Sequence, residues 1–269
     1  MIKYVIYGNT EYLDILNIQT DYAQGHGSLT LFINENDLKL EDLYSKYDRV
    51  IFYDNNQTYA TRLLNCMEQL DDEYVLFIHD IDILLKSNKK VIENLFSYLK
   101  INNLDRIDLK YSDKIYDDSK LIKINESEEP INWKEINKNE INDNIILIEQ
   151  NDVNNFIYNV NPSIWKRTSF IGLLKNFKHK NYRTIEELDV QHYAKNLKVF
   201  KMFSSQKLNC GYFECVPIFV YLHISHSGKL LPLNNEFKTV YGQPYNDISE
   251  EYIKIVEKYN LRHSNKWIN

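Results

Sequence analysis

Glu73-Tyr74-Val75-Leu76-Phe77-Ile78-His79-Asp80-Ile81-Asp82-Ile83-Leu84-Leu85 is the stretch on which the reading of the chain turns. Its five consecutive apolar residues, Tyr74 to Ile78, predict a strand buried on both faces, as in a parallel or mixed sheet. Where that strand runs out it delivers two carboxylates, Asp80 and Asp82. Residues two apart on an extended chain point the same way, so the two acids share a side. Like charges that close are unfavourable unless a cation lies between them or water screens them. A divalent metal holding a polyphosphate is the functional reading of such a pair. An Asp-x-Asp alone is a weak signal in an acidic chain, so its surroundings decide.

Upstream, apolar runs alternate with helical spacing. Ile2 to Tyr7 is a short strand, and Gly8-Asn9-Thr10 is a turn that could admit a ligand to the backbone. Tyr12, Ile15 and Leu16 mark a helix, Leu29 to Ile33 a second strand, Leu38 to Tyr47 a thin helix, and Arg49 to Asp54 a third strand. Gln57 to Leu70 is the clearest helix, with Ala60, Leu63, Leu64 and Met67 as its core stripe and Asn56 or Thr58 as its cap. Tyr59 and Arg62, three apart, are neighbours on a flank of that stripe. Strand and helix thus alternate up to Tyr74, which predicts an α/β sheet whose ligands bind beyond the C-terminal strand ends. Gly8, Asp54, Asp80 and Asp82 would then lie along one sheet edge.

Downstream, Val91 to Leu99 carries a helical stripe, and Arg106 to Tyr111 alternates as a half-exposed strand. Ser112 to Asn144 is acidic, Asn/Lys-rich and aperiodic, and reads as a surface insertion. Ile145 to Ile148 and Phe156 to Val160 read as strands, and Asn161 to Arg167 as a sharp turn into a helix carrying Phe170, Leu173, Leu174 and Phe177. Thr184 to Glu187 opens another helix, Leu197 to Phe203 is a strand, and Val216 to Leu222 is a last strand ending in His223-Ile224-Ser225-His226. A helix from Ser249 to Tyr259 closes the tail.

The chain has 269 residues, enough for one large domain with a substantial core. Its net charge of -6 excludes a general nucleic-acid surface, which would leave a basic footprint. Three cysteines, Cys66, Cys210 and Cys215, lack metal-ligand spacing and are odd in number, which points to free thiols in a reducing compartment. The N-terminus is too short and interrupted for a signal peptide, and no apolar run approaches a membrane span. A cytoplasmic protein is the expectation.

In this order of parts the chain resembles the GT-A-type glycosyltransferases. The resemblance is carried by Tyr59-Ala60-Thr61-Arg62-Leu63-Leu64-Asn65 followed by Glu73 to Asp82, then by the acidic pair Glu186-Glu187, then by His223 and His226. It covers most of Met1 to Lys229. It implies a Rossmann-type mixed sheet sandwiched by helices in one domain, with a nucleotide-sugar-binding half over 1–111, an insertion over 112–144, an acceptor-side half over 145–233 and a tail over 234–269. It also implies a nucleotide-diphospho-sugar donor, a uridine one being favoured, and a glycan or other hydroxyl acceptor. A Mn²⁺ or Mg²⁺ would neutralise the diphosphate leaving group. Asp82 would hold the metal directly and Asp80 through water or on the ribose, with His223 or His226 completing the sphere. Tyr7, Gly8, Asn9, Asp54, Tyr59, Arg62 and Asp80 would bind the nucleotide. Glu187 would be the general base if the reaction inverts. Lys166 and Lys229 are further diphosphate partners.

Several of these residues also have plainer readings. Thr184-x-x-Glu187 matches a capping box, Asp54-Asn55-Asn56 an ordinary turn, and Arg62 a solvated helix position. Trp165 and Tyr158 read as packing. Two rivals stand beside the transferase. A haloacid-dehalogenase-like phosphohydrolase also places Asp-x-Asp after an apolar strand, but at the start of its domain, whereas three strands come first here. An inactive GT-A-like module that binds glycan or nucleotide would need neither Glu187 nor a second histidine. A nucleotidyltransferase would need a Gly-Ser pair just before its aspartates, and Gly27-Ser28 is far upstream.

Overall fold

The opening stretch forms the middle of the sheet. In the computed structural model, β1 (Lys3–Tyr7), β2 (Ser28–Ile33), β3 (Arg49–Phe52) and β4 (Tyr74–His79) run parallel in the order β3-β2-β1-β4. β9 (Ser163–Lys166) lies antiparallel to β4, and β6 (Arg106–Asp108) is antiparallel to β9 on its far side. β10 (Val199–Ser204) follows parallel to β6, and β8 (Ile145–Glu149) and β7 (Leu121–Lys123) complete nine strands. The result is the mixed α/β sheet between helices that the sequence predicts. The structure describes residues 2–34, 38–87, 89–109, 121–123, 145–150, 157–204, 219–223, 225–226, 229–230 and 253–261. Most of the expected insertion and of the tail, with Cys210, Cys215 and Gly228, lies outside them.

Strand alternation sorts the core into two layers. Tyr4 and Ile6 of β1 and Tyr74, Leu76 and Ile78 of β4 pack with α1 (Leu13–Ala23) and α4 (Lys89–Ile101). Val5, Tyr7, Val75 and Phe77 face the other way, onto α3 (Tyr59–Met67), α5 (Arg167–Asn176) and α6 (Leu188–Ala194). All six residues of β4 are buried, the both-faces burial that its unbroken apolar run predicts. Thr58 caps α3, its hydroxyl accepting from the Thr61 N–H, so of the two candidate caps Thr58 serves.

The turn from α1 into β2 depends on glycine twice. Gly25 takes a left-handed φ of +87° just past the helix end, the usual place for it. At Gly27 an added Cβ would stand 2.7 Å from the Ile2 carbonyl oxygen and 2.8 Å from the Tyr4 ring. Gly27→Ala should therefore destabilise the fold by about 1–3 kcal/mol, read as a lower urea midpoint at unchanged slope. An unchanged midpoint would mean the turn can open without cost.

Four sequence expectations are corrected. Arg106 to Asp108 is wholly buried rather than half-exposed, because its charged side chains pair with each other and with Asn159 inside the molecule. Residues 157–160 are irregular rather than a strand, because their backbone groups bond side chains: Arg106 donates to the carbonyls of Ile157 and Asn159, and Gln191 brackets Tyr158. Ser163–Lys166, read as a turn, is a strand of the main sheet. The helix expected from Thr184 starts at Leu188. At the tail, 253–258 is helical, within the span expected, and Tyr259 donates to the Asp21 carboxylate on α1 at 2.9 Å.

Candidate functional site

β1 is joined through α1 to β2 on one side of it, while β4 lies on its other side, so the chain switches direction across the sheet between β1 and β4. In an open α/β sheet such a switch leaves a crevice at the C-terminal strand ends. Tyr7 and His79 are register partners at those ends, and Gly8, Asn9, Asp80 and Asp82 follow directly. The Asp80 N–H still donates to the Tyr7 carbonyl at 2.9 Å, and the Asn9 N–H donates to Asp80 Oδ2 at 3.0 Å. The Gly8-Asn9 turn and the first carboxylate are thus one unit.

Asp80 and Asp82 are only 6% and 5% exposed. Burial pushes the Asp80 carboxyl up to about 7, against the Asn9 N–H and with help from the Asp82 charge. β5 (Asp82–Ser87) pairs antiparallel with β11 (Phe219–His223), and the register sets His223 opposite Asp82. His226 lies in the next short strand, Ser225–His226, paired with Lys229. The side chains of His223, His226 and Lys229 fall outside the described residues. Among the described residues no three of His, Cys, Asp and Glu are grouped to hold a metal. Two nearly inaccessible carboxylates thus follow the end of β4, with the His223 backbone in register with Asp82; carboxylate oxygens are the donors that a hard divalent cation accepts.

An aromatic cluster lines this edge. The Tyr7 and Tyr53 rings stack at 5.1 Å, and the Tyr53 hydroxyl donates to the Gly8 carbonyl at 2.8 Å. Arg62 lies over the Tyr53 ring at 5.5 Å, with Nε donating to the Gln57 carbonyl at 2.7 Å and a guanidinium N–H to the Asn55 carbonyl. It therefore clamps the loop after β3 rather than standing free in solvent. Asp54 sits exposed on that loop, its carboxylate accepting from the Asn56 N–H at 2.9 Å and from its amide. That is the ordinary turn reading.

Tyr59 is buried, not on a flank. Its hydroxyl is 2.7 Å from His79 Nε2, and its ring lies edge-on to Tyr7. His79 Nδ1 meets the Val160 carbonyl at 3.0 Å. A carbonyl only accepts, so Nδ1 carries the proton and Nε2 accepts from Tyr59. This fixes the ring of the residue immediately before Asp80.

The Val160 peptide joins this side of the crevice to the acidic pair. Its carbonyl takes His79, and its N–H donates to Glu186 Oε1 at 2.7 Å. Glu187 is turned elsewhere: it pairs with Lys180 at 2.6 Å beside Asp189 at 2.8 Å, and Asp189 and Glu187 together hold the Lys180 ammonium's pKa up. The capping box does not form. Glu187 is itself the N-cap residue of α6 and makes no side-chain cap bond, while the Thr184 hydroxyl accepts from the Asn181 N–H at 2.9 Å. Lys166 lies opposite Tyr74 at the far end of β4, bonded to Asn103, so it cannot serve a diphosphate at the Asp80 end. Trp165 and Tyr158 are core residues flanking Arg106.

No protein-family model matches the chain, and no curated protein matches it in sequence. Among solved structures it is similar to S. aureus TarS 1–349 in complex with UDP-GlcNAc, at 16% identity and a TM-score of 0.40 over 76% of this chain and 58% of that one. The chain thus spans little more than half of that relative. It is also similar to UDP-glucose pyrophosphorylase complexed with UDP-glucose, at 13% identity and a TM-score of 0.47 over 98% and 100% of the two chains. The bifunctional IspDF from Campylobacter jejuni aligns at 13% identity and a TM-score of 0.39 over 77% and 51%. At these scores the likeness is a general α/β one. Among the described residues, no helix is long and apolar enough to cross a membrane.

Tyr53, His79 and Tyr182, whose ring meets Tyr59 at 5.3 Å and His79 at 5.5 Å, line this edge without having been singled out in the sequence, whereas Glu186 was noted there as the first member of an acidic pair.

Proposed function

We propose that the chain transfers a sugar from a nucleotide-diphospho-sugar to an acceptor hydroxyl, with a divalent cation at Asp80 and Asp82. The observation that carries this reading is the pairing at the switch-point crevice: two buried carboxylates, one gripping the Asn9 N–H and the other in register with His223. Asp82 and Asp80 would hold the cation, with His223 or His226. When bound, the cation offsets charge on the departing diphosphate. We assign the nucleotide to the Tyr7–Tyr53 stack beside the Gly8-Asn9 turn, whose N–H groups are already donated to Phe32 and Asp80, while Tyr59 and His79 hold the carboxylate strand in place. In the transfer the acceptor oxygen bonds the anomeric carbon, the carbon–phosphate-oxygen bond breaks, and the acceptor proton goes to a carboxylate.

For an inverting transfer we assign that proton to Glu186 rather than Glu187. Glu186 is anchored to Val160 on the His79 side, whereas the Glu187 carboxylate is ion-paired to Lys180 and half exposed. Glu186→Gln should lower turnover by about 10²–10⁴-fold and leave UDP affinity in Mn²⁺ within about twofold, while Glu187→Gln keeps most activity. The opposite ranking would return the role to Glu187.

The reading is tested by thermal shift with UDP, GDP and CDP, each with and without Mn²⁺. A nucleotide at about 100 times its Kd adds about 2.7 kcal/mol, on the order of 5–10 °C for a chain this size. No shift with any of them would overturn the proposal. Phosphorus NMR of the matching nucleotide-sugar then separates chemistries: nucleoside diphosphate release marks glycosyl transfer, and nucleoside monophosphate with sugar phosphate marks hydrolysis at phosphorus.

A further inference from the structure

Gln191 is a polar residue only 1% exposed, set in α6 beside the core residues Val190 and Ala194. Its amide is fully engaged. Oε1 accepts from the Tyr158 N–H at 2.9 Å, and Nε2 donates to the Tyr158 carbonyl at 2.8 Å and to the Glu186 carbonyl at 3.0 Å. Two carbonyls at one end and an N–H at the other admit the amide in one orientation only. The next residue but one after Tyr158 is Val160, whose N–H holds Glu186 Oε1 at 2.7 Å. Glu186 is therefore gripped twice by one short segment, its main chain through Gln191 and its side chain directly. Its neighbours are fixed as well, Ile185 by full burial and Glu187 by its ion pair with Lys180.

Resting on the transferase reading, we propose that Gln191 is a positioning residue for the transfer: by clasping Glu186 to residues 158–160 it sets where the Glu186 carboxylate stands. A carboxylate that takes a proton from an attacking hydroxyl has to lie within hydrogen-bond reach of it. A misplacement of about 1 Å costs on the order of 100-fold in rate. Gln191 acts through Glu186 and makes no contact with substrate on this reading.

The test uses the full chain with Gln191→Met and Gln191→Glu, each alone and combined with Glu186→Gln. Met keeps the side-chain length and the helix propensity but makes none of the three bonds. Glu keeps the shape and, when ionised, can still accept from Tyr158 but cannot donate to either carbonyl. Either variant should lower kcat for nucleoside diphosphate release by about tenfold or more, with donor KM and UDP affinity in Mn²⁺ within about twofold. Hydrogen exchange of the Val160 amide should be faster by about fivefold or more. With Glu186→Gln already present, neither change should lower kcat by more than about a further twofold, because the group it positions is gone. A folded Gln191 variant with wild-type kcat, unchanged Val160 exchange, or the full loss repeated on top of Glu186→Gln overturns the inference. If Gln191→Met does not fold, Gln191→Glu decides. A wild type that neither binds UDP nor releases nucleoside diphosphate defeats the transferase reading and this inference with it. A normal wild type with unaffected Gln191 variants defeats this inference alone.

Discussion

Asp108→Ala is expected to cost about 3–5 kcal/mol, a large share of the stability of a domain this size. Arg106 is completely buried, and burial pulls its pKa down while Asp108 pushes it back up. Its guanidinium donates to the carbonyls of Ile157 and Asn159 at 3.1 and 3.0 Å and to the Asn159 side chain at 2.7 Å, and lies 5.0 Å from the Trp165 ring. Asp108 is 3.8 Å away and accepts from the Asn159 amide at 2.6 Å. Removing the carboxylate leaves a buried cation uncompensated and an amide without its acceptor. Arg106→Met combined with Asp108→Leu removes both charges and should cost less than Asp108→Ala alone. Urea denaturation of the three proteins checks this. A double variant less stable than Asp108→Ala would show that the cation's hydrogen bonds to residues 157–159 outweigh its charge.

The site should share in that loss. Residues 157–160 wrap Arg106, and Val160 at their end bonds both His79 and Glu186. Loosening Arg106 would therefore loosen the spacing between the two halves of the crevice.

The second large effect is Asp82→Ala, which should lower Mn²⁺-dependent nucleotide affinity by about 100-fold or more. A direct carboxylate ligand supplies charge that neither Asp80 nor a histidine can replace. The fold should tolerate the change, because Asp80 is raised chiefly by its burial and the Asp82 charge only adds to that, so its removal relieves a repulsion. The variant should thus be at least as heat-stable as the wild type without metal. Mn²⁺ should raise the wild-type melting temperature and leave that of the variant nearly fixed.

The centre of the fold was legible because β4 carries its own evidence. An apolar run without alternation has to be covered on both faces, and the acids that follow it have to lie at the strand end. The Gly8-Asn9 turn and the Thr58-capped helix were legible for similar local reasons. Partnerships across the sheet were not. Arg106 and Asp108 looked solvent-facing because charge at alternate positions usually is, and their mutual pairing depends on Asn159, some fifty residues away. Ser163–Lys166 is too short to show a period, and Pro162 before it reads as a turn. Glu186 and Glu187 are adjacent, so only the true helix start at Leu188 decides which carboxylate reaches Val160 and which reaches Lys180. Tyr53 meets Tyr7, and Tyr182 meets Tyr59 and His79, across segments far apart in the chain, which no local pattern encodes.

Calorimetric titration of UDP, GDP and CDP into the wild type and Asp82→Ala, each with Mn²⁺ and with chelator, bears most directly on the crevice at Asp80 and Asp82. At least one nucleotide should bind the wild type with Mn²⁺ and lose about 100-fold or more in affinity both on chelation and in Asp82→Ala. Equal binding by the variant, or binding indifferent to the chelator, would contradict the account.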